Sequence, residues 1–323
     1  MTTFNEDSRV KIPALLHLLR LGYGYLSLKQ ASWDKRNNIF TGIFESAITR
    51  INPGIDPSAI PPLLDEIQLE LQNEDLGRAF HKRLTARAAT RLIDFDNPDN
   101  NDYHVVTELP FANGDDNFRP DITLLVNGLP LVIIEVKKRM NPGGVREERH
   151  RMDRRHANPE IRHFFNLLQL MVFSNNMEYD EAAIESIQGA FYAASTYGVA
   201  HFNYFREERA TELGGFIGLP QEDAEGIVLV DNNLVSIKGT AEFDRNKSVD
   251  TPTNRLLTSL TSRQRLAFIL QYAFAWLDEE GGIQKHLMRY PQLFATLAIA
   301  ERLGTGARKG IVWHTQGSGK TAR

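Results

Sequence analysis

Asp121 and Glu135 stand with thirteen residues between them, and Lys137 follows the second acid by two positions. Two carboxylates that converge repel each other unless a divalent cation neutralises them. Mg²⁺ takes hard oxygen ligands and keeps places for water and a substrate phosphate. Such an ion lowers the pKa of its bound water and offsets charge developing on phosphorus. Lys137 would orient that water, help deprotonate it, or neutralise the developing charge. Asp121, Glu135 and Lys137, with the carbonyl of Val136 as a further metal ligand, therefore suit Mg²⁺-dependent phosphodiester cleavage. Glu135 and Lys137 end the apolar run Leu131-Val132-Ile133-Ile134. Charges at the end of a buried strand are costly to desolvate, and metal binding supplies a reason for them. The competing reading makes Asp121 a turn or cap residue, and Glu135 with Lys137 a surface ion pair.

A second chemistry lies at the other end of the chain. Gly317-Ser318-Gly319-Lys320-Thr321 follows the apolar run Gly310-Ile311-Val312-Trp313. Glycines let backbone amides face a β-phosphate, lysine bridges the outer phosphates, and the threonine hydroxyl ligates Mg²⁺. This is an ATP-binding loop. His314 stands where the strict form has glycine, which matches the helicase and translocase variant. Gln292 precedes Lys320 by about thirty residues, a position from which glutamine reads adenine in such motors. A nucleoside-triphosphatase needs a long continuation after this loop, so the chain reads as the N-terminal part of a longer protein.

The elements that must position these groups follow from periodicity. Helical spacing marks 9–30 and 36–51, with Glu45 beside the apolar stripe of the second; residues 59–90 read as two helices broken near Asn73. Strand-like runs cover 103–109, 121–127 and 131–137, and Asn127-Gly128 between the last two is a hairpin signal. A strict two-residue turn would pair 121 with 134 and put the acids on opposite faces. A different loop length or a bulge restores them to one face, shared by Leu131 and Ile133, and is the expectation. In nuclease folds of this kind an acid on a preceding helix assists, and Glu45 is the candidate. A charged, helical stretch runs over 145–173. There Arg146, Arg149, Arg151, Arg154, Arg155 and Arg162 suit phosphate contact. The same stretch reads equally as a solvated helix balanced by Glu147, Glu148 and Asp153. Strand-like runs return near 189–195 and 227–230, the polar stretch 239–258 contains a candidate linker, and helices are expected over 262–278 and 284–302.

Composition sets wide limits. The 323 residues are 42% hydrophobic and 24% charged, an ordinary globular balance spanning about two domains. The net charge of −4 excludes a uniformly basic coat, so any DNA contact comes from a local patch. No cysteine is present, which rules out disulfides and thiolate metal sites and fits a cytoplasmic protein. No apolar run reaches the roughly 18 residues of a membrane span.

Taken together, Arg119-Pro120-Asp121, Asn127-Gly128-Leu129-Pro130-Leu131-Val132 with Glu135-Val136-Lys137, and Trp313-His314-Thr315-Gln316-Gly317-Ser318-Gly319-Lys320-Thr321 resemble the restriction (R) subunit of type I restriction–modification enzymes. Asp94-Phe95-Asp96-Asn97-Pro98 and Gln169-Leu170-Met171-Val172-Phe173-Ser174 look like further segments of that family. The resemblance covers nearly the whole chain. It implies an α/β fold: a PD-(D/E)xK (RecB-like) nuclease domain over 1–240, with a mixed central sheet flanked by helices. A linker over 241–256 and the start of a RecA-like superfamily 2 motor over 257–323 would follow. It also implies Mg²⁺-dependent DNA cleavage coupled to ATP-driven translocation of double-stranded DNA, with methyltransferase (M) and specificity (S) subunits as partners. Alternatives are a partner-binding scaffold that cuts nothing, and an ATPase unrelated to DNA. One departure from the family is the Gln-x-x-x-Tyr helix element that many relatives carry after the lysine. Here that region reads Glu148-Arg149-His150-Arg151-Met152-Asp153-Arg154-Arg155, and the arginines would substitute.

Overall fold

Near the N-terminus the apolar spacing folds as one turn of π-helix (Asp7–Lys11) running into α1 (Ile12–Arg20), with Pro13 in the first turn, where proline is tolerated. Eight of the nine α1 residues are buried, so α1 is a core element. The computed structural model describes residues 5–87, 90–138, 144–178, 189–197, 200–219 and 223–313. After the short strand β1 (Gly24–Tyr25) come α2 (Thr41–Ile51), α3 (Ile60–Glu70) and α4 (Arg78–Leu84), with the expected break between the last two. Then follow β2 (Tyr103–Thr107), a small hairpin of β3 (Phe111–Asn113) and β4 (Asp116–Phe118), β5 (Ile122–Val126) and β6 (Leu129–Val136). Helices α5 (Gly144–His156) and α6 (Arg162–Leu167) cross over to β7 (Leu170–Ser174), followed by β8 (Ala190–Ala194) and β9 (Asn203–Phe205). The remainder is α7 (Ala224–Asp231), α8 (Ala241–Asn246), α9 (Pro252–Thr261), α10 (Arg263–Tyr272), a hairpin of β10 (Phe274–Glu279) and β11 (Gly282–Leu287), and α11 (Tyr290–Gly304).

Seven strands form one mixed sheet in the order β1-β2-β5-β6-β7-β8-β9. β6 is antiparallel to β5 and parallel to β7. A parallel neighbour cannot be reached by a tight turn, so a helical crossover is needed, and α5 with α6 provides it. All eight residues of β6 are buried, as a central strand covered on both faces requires. Val132, Ile134 and Val136 join α1, α2, α3 and α9 in one apolar cluster. Ile133 joins Met152 of α5, Phe164 and Phe165 of α6 and Phe111 and Phe118 of the small hairpin in a second cluster on the opposite face. The expected mixed α/β architecture is therefore present.

Several expectations are corrected. Residues 170–174, read as part of a helical stretch, form β7, and 227–230, read as a strand, lie in α7. Residues 274–279, read as the end of a helix, form β10, and 284–287 lie in β11. Residues 241–256 are not a linker: they form α8 and the first half of α9. Phe243, Leu256, Leu257 and Leu260 pack in the same cluster as Leu15, Leu18 and Leu19 of α1. Polar groups reinforce the contact: His17 Nε2 lies 2.7 Å from Thr258 Oγ1, and the Tyr23 hydroxyl donates to the Thr261 carbonyl at 2.7 Å. Gly310 to Trp313, expected as a strand, form no regular element, and Ile311 and Trp313 are exposed.

Candidate active site at the open end of the central hairpin

Asn127 and Gly128 form the two-residue turn, both with positive φ (51° and 78°), pairing Val126 with Leu129. These two residue types are the ones that accept that backbone. The register then shifts: Leu125 pairs with Pro130, but Leu124 pairs with Val132, so Leu131 is the extra residue of a bulge. Beyond it Ile122 faces Ile134, where the paired register ends; Asp121 directly precedes the one and Glu135 directly follows the other. Continued by one residue, the shifted register would put both acids on one face. The bulge also turns Leu131 away from that face into the cluster of α1, contrary to the expected alternation.

Asp121 Oδ2 accepts from the Val136 amide at 2.8 Å. Lys137 Nζ lies 3.9 Å from Asp121 Oδ2 and 3.3 Å from Glu6 Oε1, and the Lys138 amide donates to Glu6 Oε2 at 3.0 Å. Glu135 is 5% exposed, and Arg155 Nη1 lies 3.5 Å from its Oε1.

Next to this group Lys11 is buried between Asp7 and Glu108, each at 2.7 Å. Burial alone would lower its pKa, but the hydrogen bonds with Asp7 and Glu108 outweigh it and leave the ammonium above its ordinary value. The Glu108 amide reaches the Asp121 carbonyl at 3.3 Å. Lys11 therefore ties the π-turn that carries Glu6 to the backbone that carries Asp121. A cleft of about 610 Å³ opens beside Lys138, walled by Arg9, Asn176, Glu178, Glu242 and Thr251.

Among the described residues no three His, Cys, Asp or Glu side chains gather as a ligand group. A cation here would be held by the Asp121 and Glu135 carboxylates, with the Val136 carbonyl, water and substrate oxygens completing its shell. All are hard oxygen donors, which fits Mg²⁺ and not a softer metal.

The other sequence candidates fall as follows. Glu45 is exposed on α2, whose start packs on the closed end of the hairpin: the Phe40 amide donates to the Gly128 carbonyl at 2.9 Å. Glu135 lies seven residues further along the strand, roughly 20 Å away at strand rise, so Glu45 is not part of this group. The acid that is present is Glu6, on the first helical segment. Its signal in the sequence is only an acid six residues before Ile12, where the apolar stripe of α1 begins.

Arg151 and Arg154 are exposed on α5; Arg149 is also exposed and its guanidinium stands 5.1 Å from the Phe202 ring centroid. The Arg146 side chain lies outside the described residues. Arg155 faces Glu135, and Arg162 is bound to Glu74 at 2.7 Å. His156 beside them is buried edge-on to Phe165, and burial, with the neighbouring Arg155 charge, lowers its pKa to about 3. It is a neutral core residue at physiological pH. Gln292 accepts from the Arg289 amide at 2.8 Å, capping α11. Gly317, Ser318, Gly319, Lys320 and Thr321 lie outside the described residues.

Residues 3–180 match the family model described as the type I restriction enzyme R protein N terminus. Two relatives from Methanocaldococcus jannaschii are named as type I restriction enzyme endonuclease subunits. The one named MjaVIIP is 26% identical over 241 residues, covering 72% of this chain and 18% of its own length. The one named MjaIXP is 23% identical over 353 residues, covering 98% of this chain and 30% of its own. The chain thus spans less than a third of the length of these relatives.

Proposed function

On the premise that this chain belongs to the family of type I restriction enzyme R-protein N termini, we propose that it carries the DNA-cleaving centre of a type I restriction endonuclease, formed by Asp121, Glu135 and Lys137. The observation that supports this most is the cross-strand placement of Asp121 and Glu135 by the Leu131 bulge, with Lys137 Nζ within 3.9 Å of Asp121. Mg²⁺ bound between the two carboxylates would supply an activated water and offset charge on the phosphate. Asp121 and Glu135 would supply carboxylate oxygens as ligands, the first tied to the Val136 amide and the second buried in the sheet. Lys137 presents its ammonium on the same side, where it can steer the attacking water or meet negative charge on the phosphoryl oxygens. An attacking water would give up a proton to solvent as its oxygen bonds phosphorus and the P–O bond to the leaving sugar oxygen breaks, and that oxygen would take up a proton from solvent. Glu6 positions Lys137 by accepting from its ammonium and from the next amide.

In the whole protein the loop at Gly317, Ser318, Gly319, Lys320 and Thr321 would bind ATP and drive translocation along double-stranded DNA. Methyltransferase and specificity subunits would be the partners, in the cytoplasm. The test is cleavage by the assembled full-length enzyme carrying Asp121→Asn or Lys137→Ala. Each variant is expected to lose cleavage by at least about 100-fold while DNA-stimulated ATP hydrolysis persists. Cleavage at the wild-type rate in both variants refutes the assignment.

A further inference from the structure

Several cations at the open end of the hairpin already have an acid. Lys11 lies between Asp7 and Glu108, Arg9 is paired with Glu242 at 2.7 Å, and Lys137 faces Glu6 and Asp121. Arg119 and Lys138 differ. Both are exposed, and among the described residues neither the Arg119 guanidinium nor the Lys138 ammonium meets a hydrogen-bonding or charged partner. Acids are at hand for both. Asp115 and Asp116 stand within four residues of Arg119 yet form no ion pair with it. Glu178 and Glu242 line the cleft beside Lys138, but the first is engaged with Arg255 and the second with Arg9. Local structure fixes where the two cations stand. Phe118 and Pro120 are buried on either side of Arg119, and Phe118 is stacked on Phe111 and Phe165. A residue before proline keeps to extended backbone. Arg119 is therefore the outward-facing member of an anchored tripeptide, two residues from Asp121. Lys138 follows Lys137, and its amide is held by Glu6 Oε2 at 3.0 Å, so its side chain starts from a fixed backbone at the rim of the cleft. β5 and β6 are antiparallel, so the residues leading into one and out of the other lie at the same end of the sheet. From separate strands the two cations flank the end where Asp121 and Glu135 stand.

Resting on the DNA-cleaving reading above, we infer that Arg119 and Lys138 are positioning residues that clamp the backbone phosphates neighbouring the one being cut, one from each strand of the hairpin. A phosphate meets these two cations without breaking an internal ion pair, whereas Arg9 and Arg162 would first have to leave Glu242 and Glu74. The Arg119 fork suits two oxygens of one phosphate, and the Lys138 ammonium supplies a point charge to another. Two residues of extended backbone cover about 6–7 Å. Arg119 therefore serves a phosphate close to one held at Asp121, not one a helical turn of DNA away at roughly 34 Å. Neighbouring phosphates carry the same charge before and during bond breaking. The clamp thus sets how tightly DNA lies over the centre and leaves the rate of the chemical step alone.

The test measures binding of a short DNA duplex to the full-length protein in chelator, across a range of salt concentrations. Arg119→Ala and Lys138→Ala should each weaken binding about tenfold at low salt and lower the slope of log affinity against log salt by about 0.9, and the double variant by about 1.8. Arg119→Lys should keep the wild-type slope, because the charge count is unchanged, and still bind more weakly for want of the fork. In cleavage assays with Mg²⁺ the KM for DNA should rise about tenfold in each alanine variant, with kcat within about twofold of wild type. Melting temperatures should stay those of wild type, since neither side chain has an internal partner to lose. Should Arg119→Ala fail to fold, Arg119→Gln replaces it in the same measurements. A wild-type salt slope in both alanine variants overturns the inference, and a shift in one alone overturns the paired clamp. A fall in kcat at unchanged KM overturns it too, by placing the residue in the chemical step. Asp121→Asn separates the two levels. If it cleaves as wild type does, the DNA-cleaving reading itself fails. If it loses cleavage while both alanine variants keep the wild-type slope, only the clamp fails.

Discussion

Replacing Gly128 by alanine should destabilise the chain by about 2–5 kcal/mol, and the figure follows from two independent costs. The first is backbone: Gly128 has φ of +78°, and an L-residue forced into the left-handed region costs about 1–2 kcal/mol. The second is steric: a Cβ at 128 would stand 2.6 Å from the Phe40 carbonyl oxygen and 2.8 Å from the Phe44 amide nitrogen. Both are main-chain atoms at the start of α2, so neither can swing aside, and relieving them adds about 1–3 kcal/mol. Gly54 provides the control. Its φ is +86°, and nothing lies within 4 Å of its notional Cβ. Gly54→Ala should therefore show the backbone cost alone, about 1 kcal/mol. Urea unfolding of the two variants beside wild type, compared at equal m-value, gives the difference directly. Equal destabilisation by the two substitutions would refute the claim that α2 is seated on the hairpin turn. A loss at Gly128 below about 0.5 kcal/mol would refute the turn geometry as well.

Other outcomes follow from buried titratable groups. His17, His81 and His156 are held neutral by burial, with pKa values of about 3, 4 and 3 against an ordinary 6.5. The unfolded chain takes up protons first as pH falls, so stability present above about pH 6.5 is lost on acidification, by roughly 2 kcal/mol per histidine at pH 5. Urea midpoints measured between pH 7 and 5 should fall, and His156→Phe should make the slope shallower; a flat profile contradicts the burial. Lys285 is buried beside the Phe274 and Trp276 rings, and desolvation lowers its pKa to about 7. Lys285→Met should raise stability at pH 7 by about 1–3 kcal/mol, with the gain shrinking as pH rises toward 10.5, where the wild-type lysine no longer carries an ionisation penalty. A lower melting temperature at pH 7 would instead mean that the two rings hold the ammonium more firmly than burial weakens it.

Much of the hairpin next to Asp121 and Glu135 could be read from the chain because it is local. Asn127-Gly128, two apolar runs and two acids define a hairpin, and the requirement that the acids share a face demands one irregularity, found at Leu131. What could not be read is what arrives from far along the chain. Glu6 is 131 residues from Lys137, and no spacing rule links them. Glu45 attracted attention because it borders a strong apolar stripe, yet that stripe belongs to the wrong end of the hairpin. The stretch 241–256 resembled a linker because threonine, serine and asparagine read as solvated. In the fold Thr253, Asn254, Thr258, Ser259 and Thr261 are buried. Thr253 and Thr258 meet Ser174 and His17 respectively, and the Thr261 hydroxyl donates to the Leu257 carbonyl. The segment 170–174 was hidden for the opposite reason: a strand buried on both faces has no alternation to separate it from a helix.

The seating of α9 against α1 decides how this polypeptide could be divided. A piece excised at residue 240 would take α1 with it but leave Leu256, Leu257 and Leu260 behind, opening a greasy wound along Leu15 and Leu18. The smallest transplantable unit therefore extends well past the 3–180 segment that the family model matches, through α9 and on to Leu293 and Phe294 of α11 in the same apolar cluster. Chimeras that exchange this unit between family members should be spliced after α11, and grafts joined earlier should precipitate.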